Sequence, residues 1–344
     1  MTTIPPRTTD PGRALLLAAR AGDEAAFEQL VEPRRRELHA HCYRMLASVH
    51  DAEDALQETL LRAWRGLAAF EERSSLRSWF FRIATNVCLN MIERRPARLL
   101  PATYGPPDDP HRLDPPFVDA PWLEPYPDAD LADGFAAPAA RYEQRESVEL
   151  AFVAALQLLP ARQRAALVMR EVLGFSASEV ADALDTSVAS VNSSLQRARK
   201  AIADHVPERS QQATLRALGE TRLRAIVAGY MDAMERADIP AVIAMLTEDA
   251  TWSMPPIASW YRGLDDIAVF LREGALVPSW RRAPAHANGQ LAVGGYIWSP
   301  ERGCYLANVI DVLTLRGDRI ASVTAFISSE IFPSFGLPPE LPPQ

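Results

Sequence analysis

The sequence predicts a multidomain chain: two all-α domains joined by a proline-rich linker, then an α+β domain. Three observations lead there. Apolar residues recur at helical spacing from about Arg13 to Arg95 and again from Arg141 to about Val206. Between these blocks, from Pro96 to Pro138, stand eleven prolines and many aspartates. After Thr221 one more helical stretch gives way to alternating segments such as "GQLAVGGYIWS" and "CYLANVIDVLTLRGDRIASVTAFIS", where "RGDR" reads as a hairpin turn. A length of 344 residues suits two or three domains, and 48% hydrophobic with 23% charged residues is a globular composition.

A formal net charge of −8 argues against nonspecific binding of nucleic acid over the whole surface and leaves room for a local basic face. Cys42, Cys88 and Cys304 are scattered and odd in number, which predicts a reducing compartment and no cysteine zinc site. No apolar run is long enough to span a bilayer, and "MTTIPPRTTDPGR" has no apolar core of a signal peptide. The expectation is a cytoplasmic protein without a membrane partner.

In the first block, "DAEDALQETLLRAW" (51–64) places Ala52, Leu56, Leu60 and Ala63 on one helical stripe. The opposite side carries Asp51, Asp54 and Glu58, then Arg62 and Arg65, a polarity that complements the helix dipole. A second helix, "RSWFFRIATNVCLNMIERR", collects Arg82, Asn86, Asn90 and Glu93 on one face, with Arg94 and Arg95 at its end. Amides and arginines together suit bases and a phosphate backbone.

The second block holds the sharpest local pattern. "SASEVADALDTSVASVNSSLQRARKAI" reads as helix, turn, helix, with Ser176 or Ser178 as cap and Asp185–Thr186 as turn. In its second helix Val188, Val191, Leu195, Ala198 and Ile202 form the apolar stripe. Ser190, Ser193, Gln196, Arg197 and Lys200, the last being the only lysine, lie roughly opposite. Small hydroxyl residues let a helix approach DNA closely, and the longer side chains reach base edges or phosphates.

Taken together in this order, the two helical blocks closely resemble the extracytoplasmic-function (ECF) group of bacterial sigma-70 factors, over roughly the first 205 residues. The resemblance implies sigma region 2 over 13–97, a linker over 98–140 and a region 4 helix-turn-helix over 141–206. It implies core RNA polymerase and promoter DNA as partners. Asp51, Asp54, Gln57 and Glu58 would meet the clamp helices of the β′ subunit, and region 4 would lie at the β flap. Arg77, Arg82, Asn86, Asn90, Arg94 and Arg95 would capture the melted minus-ten element, although family members commonly carry aspartate where Asn90 stands. Ser190, Ser193, Gln196, Arg197 and Lys200 would read the minus-thirty-five element. The linker would thread into the polymerase cleft, and its "PWLEPYPD" resembles a branch with an extra C-terminal domain. Trp122 and Tyr126 mark it as a segment that packs.

The remaining third resembles a SnoaL-like domain (215–330), a cone-shaped barrel of helices on a curved antiparallel sheet, followed by an extended tail (331–344). Tyr230, Met234, Trp252, Met254, Trp260, Tyr261, His286, Trp298 and Asp311 would line its pocket, with His286 and Asp311 the acid–base candidates. Two function classes follow. Either the chain is a sigma factor regulated in cis by this domain, with or without a small ligand, or the pocket is a binding or isomerase/cyclase-type active site and DNA binding is secondary. Both sigma signatures are intact while no acid–base constellation is secure, so the first is preferred. No catalytic residue, cofactor or metal is expected, and a simple repressor would not require the first block.

Overall fold

The computed structural model describes residues 11–112, 115, 117, 121–131, 145–276 and 279–343. The expected start of the second helical block at Arg141 and the acidic stretch 132–140 lie outside the described residues.

Four helices build the first unit: α1 (Pro11–Arg20), α2 (Glu24–Leu46), α3 (Val49–Gly66) and α4 (Leu76–Ile92). Asp23, Ser48 and Ser75 cap the last three by accepting from the backbone N–H of Ala26, Asp51 and Ser78. Phe27 packs on Phe80, which is fully buried, and on Trp64, which is half-buried against the same core. The second half of α2 is buried almost all round. His41 turns to Thr85 on α4, while His39 and Tyr43 turn the other way to Tyr126 of the linker. A helix buried on both sides needs partners beyond its own bundle.

The second unit comprises α5 (Leu150–Gln157), α6 (Ala161–Leu167) with a π turn at Val168–Val172, α7 (Ala177–Ala183) and α8 (Val188–Ile202). Ser176 and Glu179 form a reciprocal capping box at the start of α7. Asp185, at φ 49°, makes the turn into α8.

The third unit places α9 (Gln211–Glu235, broken at Gly219), α10 (Ile239–Ala244) and α11 (Leu264–Phe270) on a seven-stranded sheet. Its strands are β1 (Leu246–Ser253), β2 (Trp260–Arg262), β3 (Trp280–Ala287), β4 (Gln290–Ser299), β5 (Cys304–Arg316), β6 (Arg319–Ile327) and β7 (Glu340–Leu341). The spatial order is β2-β1-β6-β5-β4-β3, with β7 also pairing on β5. The sheet is mixed rather than wholly antiparallel: β1 runs parallel to β6, because β1 enters from α10 and not through a hairpin. The tail expected to be extended instead folds back. Phe332 and Leu337 are buried, and β7 pairs with Tyr305 and Leu306.

Alternate residues of the sheet serve two cores. Leu291, Val293, Leu313 and Val323 pack with Ile226, Tyr230 and Phe270 under the helices. On the opposite face, Ala292, Tyr296, Ile310 and Phe326 join an apolar cluster that continues through Phe332 and Tyr126 into both helical units. The linker lies in this seam. Leu123, Tyr126 and Leu131 are buried, and Glu124 donates its N–H to Ala47 O at 3.0 Å.

Candidate nucleic-acid interface

On α3, Ala52, Ala55, Leu56, Thr59 and Ala63 form the buried arc. Asp54 and Gln57 are exposed, and half-exposed Glu58 accepts from Arg62 at 2.6 Å. Asp51 departs from the expected outer face: it is 6% exposed. Four residues before Ala55 and eight before Thr59, it sits at the edge of the buried arc. Its carboxylate holds Arg95 and, at 2.8 Å, Arg98, so it fastens the end of α4 and the start of the linker. Glu53, which the stripe reading passed over, is exposed beside Asp54 and accepts from Gln57 at 2.7 Å.

On α4, Arg77 is engaged inside the protein. Its guanidinium lies between the rings of Phe81 (5.1 Å) and Phe175 (4.5 Å), pairs with Glu37, and donates to Leu173 O at 3.1 Å. Next to it Ser78 donates to Glu179 of α7 at 2.6 Å. Those bonds hold the Glu179 carboxyl below its ordinary range, Ser78 first and the Ser176 contacts after it. Arg82 is exposed in a cleft shared with Glu179, Asp182 and Asp185. Asn90, Arg94 and Arg95 are exposed and Asn86 is half-buried. Of this face, Arg82 is the residue placed beside the acidic side of α7.

The second helix of the helix-turn-helix is differently placed. Val191, Leu195 and Ala198 anchor α8, while Ser190, Ser193, Gln196, Arg197 and Lys200 are all exposed. Val188 departs from the expected apolar stripe and stands 43% exposed at the first turn. Arg199 pairs with Glu171 at 2.6 Å.

Of the expected C-terminal pocket residues, Tyr230, Met234, Trp252, Met254 and Tyr261 come together as parts of one packed core, while His286 and Trp298 lie outside it. Tyr230 and Asp311 meet: the phenol donates to the carboxylate at 3.0 Å. The third member, Arg282, was not expected; it donates to Asp311 at 2.9 Å, and both side chains are 2% exposed. Gly295 leaves the space, since a Cβ there would stand 2.5 Å from the guanidinium. Burial pushes the Asp311 carboxyl up, while Arg282 and Tyr230 pull it down. Trp252 packs on Phe270 in the core, with Met234 and Met254 also buried. Trp260 and Tyr261 donate to linker carbonyls, those of Gly105 (3.1 Å) and Arg112 (2.8 Å). Trp298 stacks edge-on with Tyr305. His286 is exposed, four residues beyond Arg282 on the same strand face and past the helical cover.

The junction of the units converges on the β3–β4 turn, Asn288–Gly289, both at positive φ. Asn288 exchanges backbone and side-chain bonds with Tyr126 (2.8 and 2.9 Å), and donates to Tyr43 Oη (2.9 Å) and Val148 O (2.8 Å). Gly289 N–H donates to Asp128 at 2.7 Å, and its carbonyl accepts from Gln212. Gln290 accepts the Leu150 N–H at 2.9 Å. One turn thus touches the first unit, the linker and the second unit. An Asn-Gly pair between alternating runs is a hairpin signal, which could have located the turn although not its partners.

Comparison with known proteins decides what these surfaces belong to. Residues 30–97 match the family model for sigma-70 region 2, residues 149–202 that for sigma-70 region 4, and residues 227–323 that for the SnoaL-like domain. The ECF RNA polymerase sigma factor SigG of Mycobacterium tuberculosis is 41% identical over 355 residues, covering 99% of this chain and 94% of that protein. The chain belongs to the ECF sigma factors. SigM of the same species is 33% identical over 55% of this chain and 81% of its own. Among solved structures, the M. tuberculosis ECF sigma factor SigJ matches with a TM-score of 0.57 at 21% identity, covering 88% of this chain and 97% of that one; it shares the fold. As a sigma factor the protein binds core RNA polymerase and directs promoter-specific initiation, with a SnoaL-like domain at its C-terminal end. Both relatives are ECF RNA polymerase sigma factors. Among the described residues no helix is long and apolar enough to cross a membrane.

Proposed function

We propose that this sigma factor is held closed by its own C-terminal domain, through the Asn288–Gly289–Gln290 turn, and must open to use both promoter-reading surfaces. The observation that carries the reading is the direct packing of α4 on α7, with Arg77 and Ser78 bonded to the region 4 unit. Minus-ten and minus-thirty-five elements are separated by roughly 25 base pairs, about 80 Å at the rise of B-DNA. Region 2 and region 4 surfaces in contact cannot engage both. Opening frees Arg77 and parts the exposed Arg82 from the carboxylates of the region 4 unit, so that both join Asn86, Asn90, Arg94 and Arg95 on unstacked minus-ten bases and phosphates. The α8 face, from Ser190 to Lys200, is already exposed and reads the minus-thirty-five element. Asp54, Gln57 and Glu58, with Glu53, face the clamp helices of β′; region 4 goes to the β flap. Asp51 acts from behind, by placing Arg95 and Arg98. The domain boundaries proposed with this reading are 13–97, 98–140, 141–206 and 215–330, and Glu340–Leu341 of the tail pairs with β5.

An isomerase or cyclase role has less support. Asp311 is closed off by Arg282 and Tyr230, and His286 faces solvent, so neither offers a base to a substrate. The test is titration of core polymerase with the full-length protein, with Asn288→Ala, and with a chain ending at Arg209. Tighter binding by both variants supports closure by the C-terminal domain; unchanged binding and unchanged promoter activity remove it.

A further inference from the structure

A cleft of about 400 Å³ lies where the end of α4, the start of the linker and α6 come together. Its charge is unbalanced. Arg95, Arg98 and Arg164 line it with Asp51 as the sole carboxylate. Asp51 is shared by Arg95 and Arg98, and even with Glu124, which Arg98 reaches at 3.2 Å, guanidiniums outnumber carboxylates. Arg164 is the uncompensated one. It is 3% exposed, and its bonded acceptors are neutral: the Gln157 side chain (2.6 Å) and the carbonyls of Met45, Gln157 and Leu159. Its Nε is buried with no partner. Burial lowers its pKa to about 10, which still leaves it charged at neutral pH. A buried cation without a counter-charge is costly, and a phosphate accepting from several guanidiniums is the group that balances it best. The other wall is apolar, built from Met45, Leu46, Met91 and Ile92, with Pro121 of the linker. Methionines give an adaptable surface for a flat organic group.

We infer that this cleft binds a small organic phosphate, its phosphate against Arg95, Arg98 and Arg164 and its organic part against the methionine wall. The three arginines come from region 2, the linker and region 4, so the site is complete only when these are together. A ligand that binds only the closed form raises its population and its stability by mass action. This goes beyond the closure proposed above by assigning a ligand and a place for it outside the SnoaL-like domain.

The test is calorimetric and thermal titration of the full chain with adenosine 5′-monophosphate and, separately, with orthophosphate at matched ionic strength. Two variants accompany it. Ala97→Trp fills the cleft from an exposed rim position, and Arg95→Gln removes one exposed guanidinium. The expected result is saturable binding of the nucleotide, at least tenfold tighter than orthophosphate, with a raised Tm and at least tenfold loss in either variant. Absence of nucleotide binding overturns the inference. So does nucleotide binding unchanged in both variants, which would place it elsewhere, and so does orthophosphate binding as tightly as the nucleotide, which would leave the apolar wall without a role.

Discussion

At the scale of single residues, two side chains carry the argument. Asn288 satisfies groups from three parts of the chain, and its truncation leaves the Val148 carbonyl, the Tyr43 hydroxyl and the Tyr126 N–H short of partners. Each unsatisfied buried group costs about 1–3 kcal/mol. Asn288→Ala should therefore destabilise the full-length protein by roughly 2–4 kcal/mol in thermal or denaturant unfolding, while raising affinity for core polymerase. Asp51 offers a contrast with its neighbour. Asp51→Asn loses charge-assisted bonds to Arg95 and Arg98 and should cost about 1–3 kcal/mol of stability. Asp54→Lys, on the exposed face, should leave the melting temperature nearly unchanged and weaken polymerase binding about tenfold or more. The reverse pattern in paired unfolding and binding measurements would return Asp51 to the docking face.

At the scale of elements, α8 and α4 differ in availability. Because α8 presents its reading face to solvent, Arg197→Ala should weaken minus-thirty-five discrimination by about 1–3 kcal/mol in DNA-binding assays, with polymerase affinity unchanged. Equal loss of both would point to misfolding. The helices were legible because their periodicities, caps and turn are local: of the two caps the sequence offers, Ser176 is the one used, and Glu179 closes a capping box with it. The error at Asp51 came from treating a helix as two opposed stripes when its buried arc is broad enough to take in the edge. The tail misled through its prolines, although Phe332 and Leu337 carried the signal of burial. Arg282 was invisible, because nothing local in a strand says that an arginine will face inward to a carboxylate twenty-nine residues on. Trp122 and Tyr126 marked the linker as packed, but only the fold shows against what.

At the scale of the whole molecule, the three units share one continuous apolar seam, and the charges within it make closure sensitive to pH. Glu149, at the start of the region 4 unit, accepts the Gln212 N–H of α9 at 2.8 Å. Burial nevertheless raises its carboxyl from 4.5 to about 7, against the backbone hydrogen bonds that pull it down. A carboxyl raised in the folded protein favours its protonated form. Its contribution to stability is full below the unfolded value and is lost as pH rises through about 7. Between pH 5 and 8 the full-length protein should lose on the order of 2 kcal/mol through this group, and Glu149→Gln should flatten that slope. A stability that rises over the same interval, with no difference in the variant, would contradict the assignment.

The central claim is that contact between region 2 and region 4 must break on a promoter. Arg73 and Asp182 line the same cleft between the two units, so fluorophores at these positions report the contact directly. The account predicts high energy transfer in the free full-length protein and its loss in the complex with core polymerase and promoter DNA. High transfer retained in a transcriptionally active complex would contradict it.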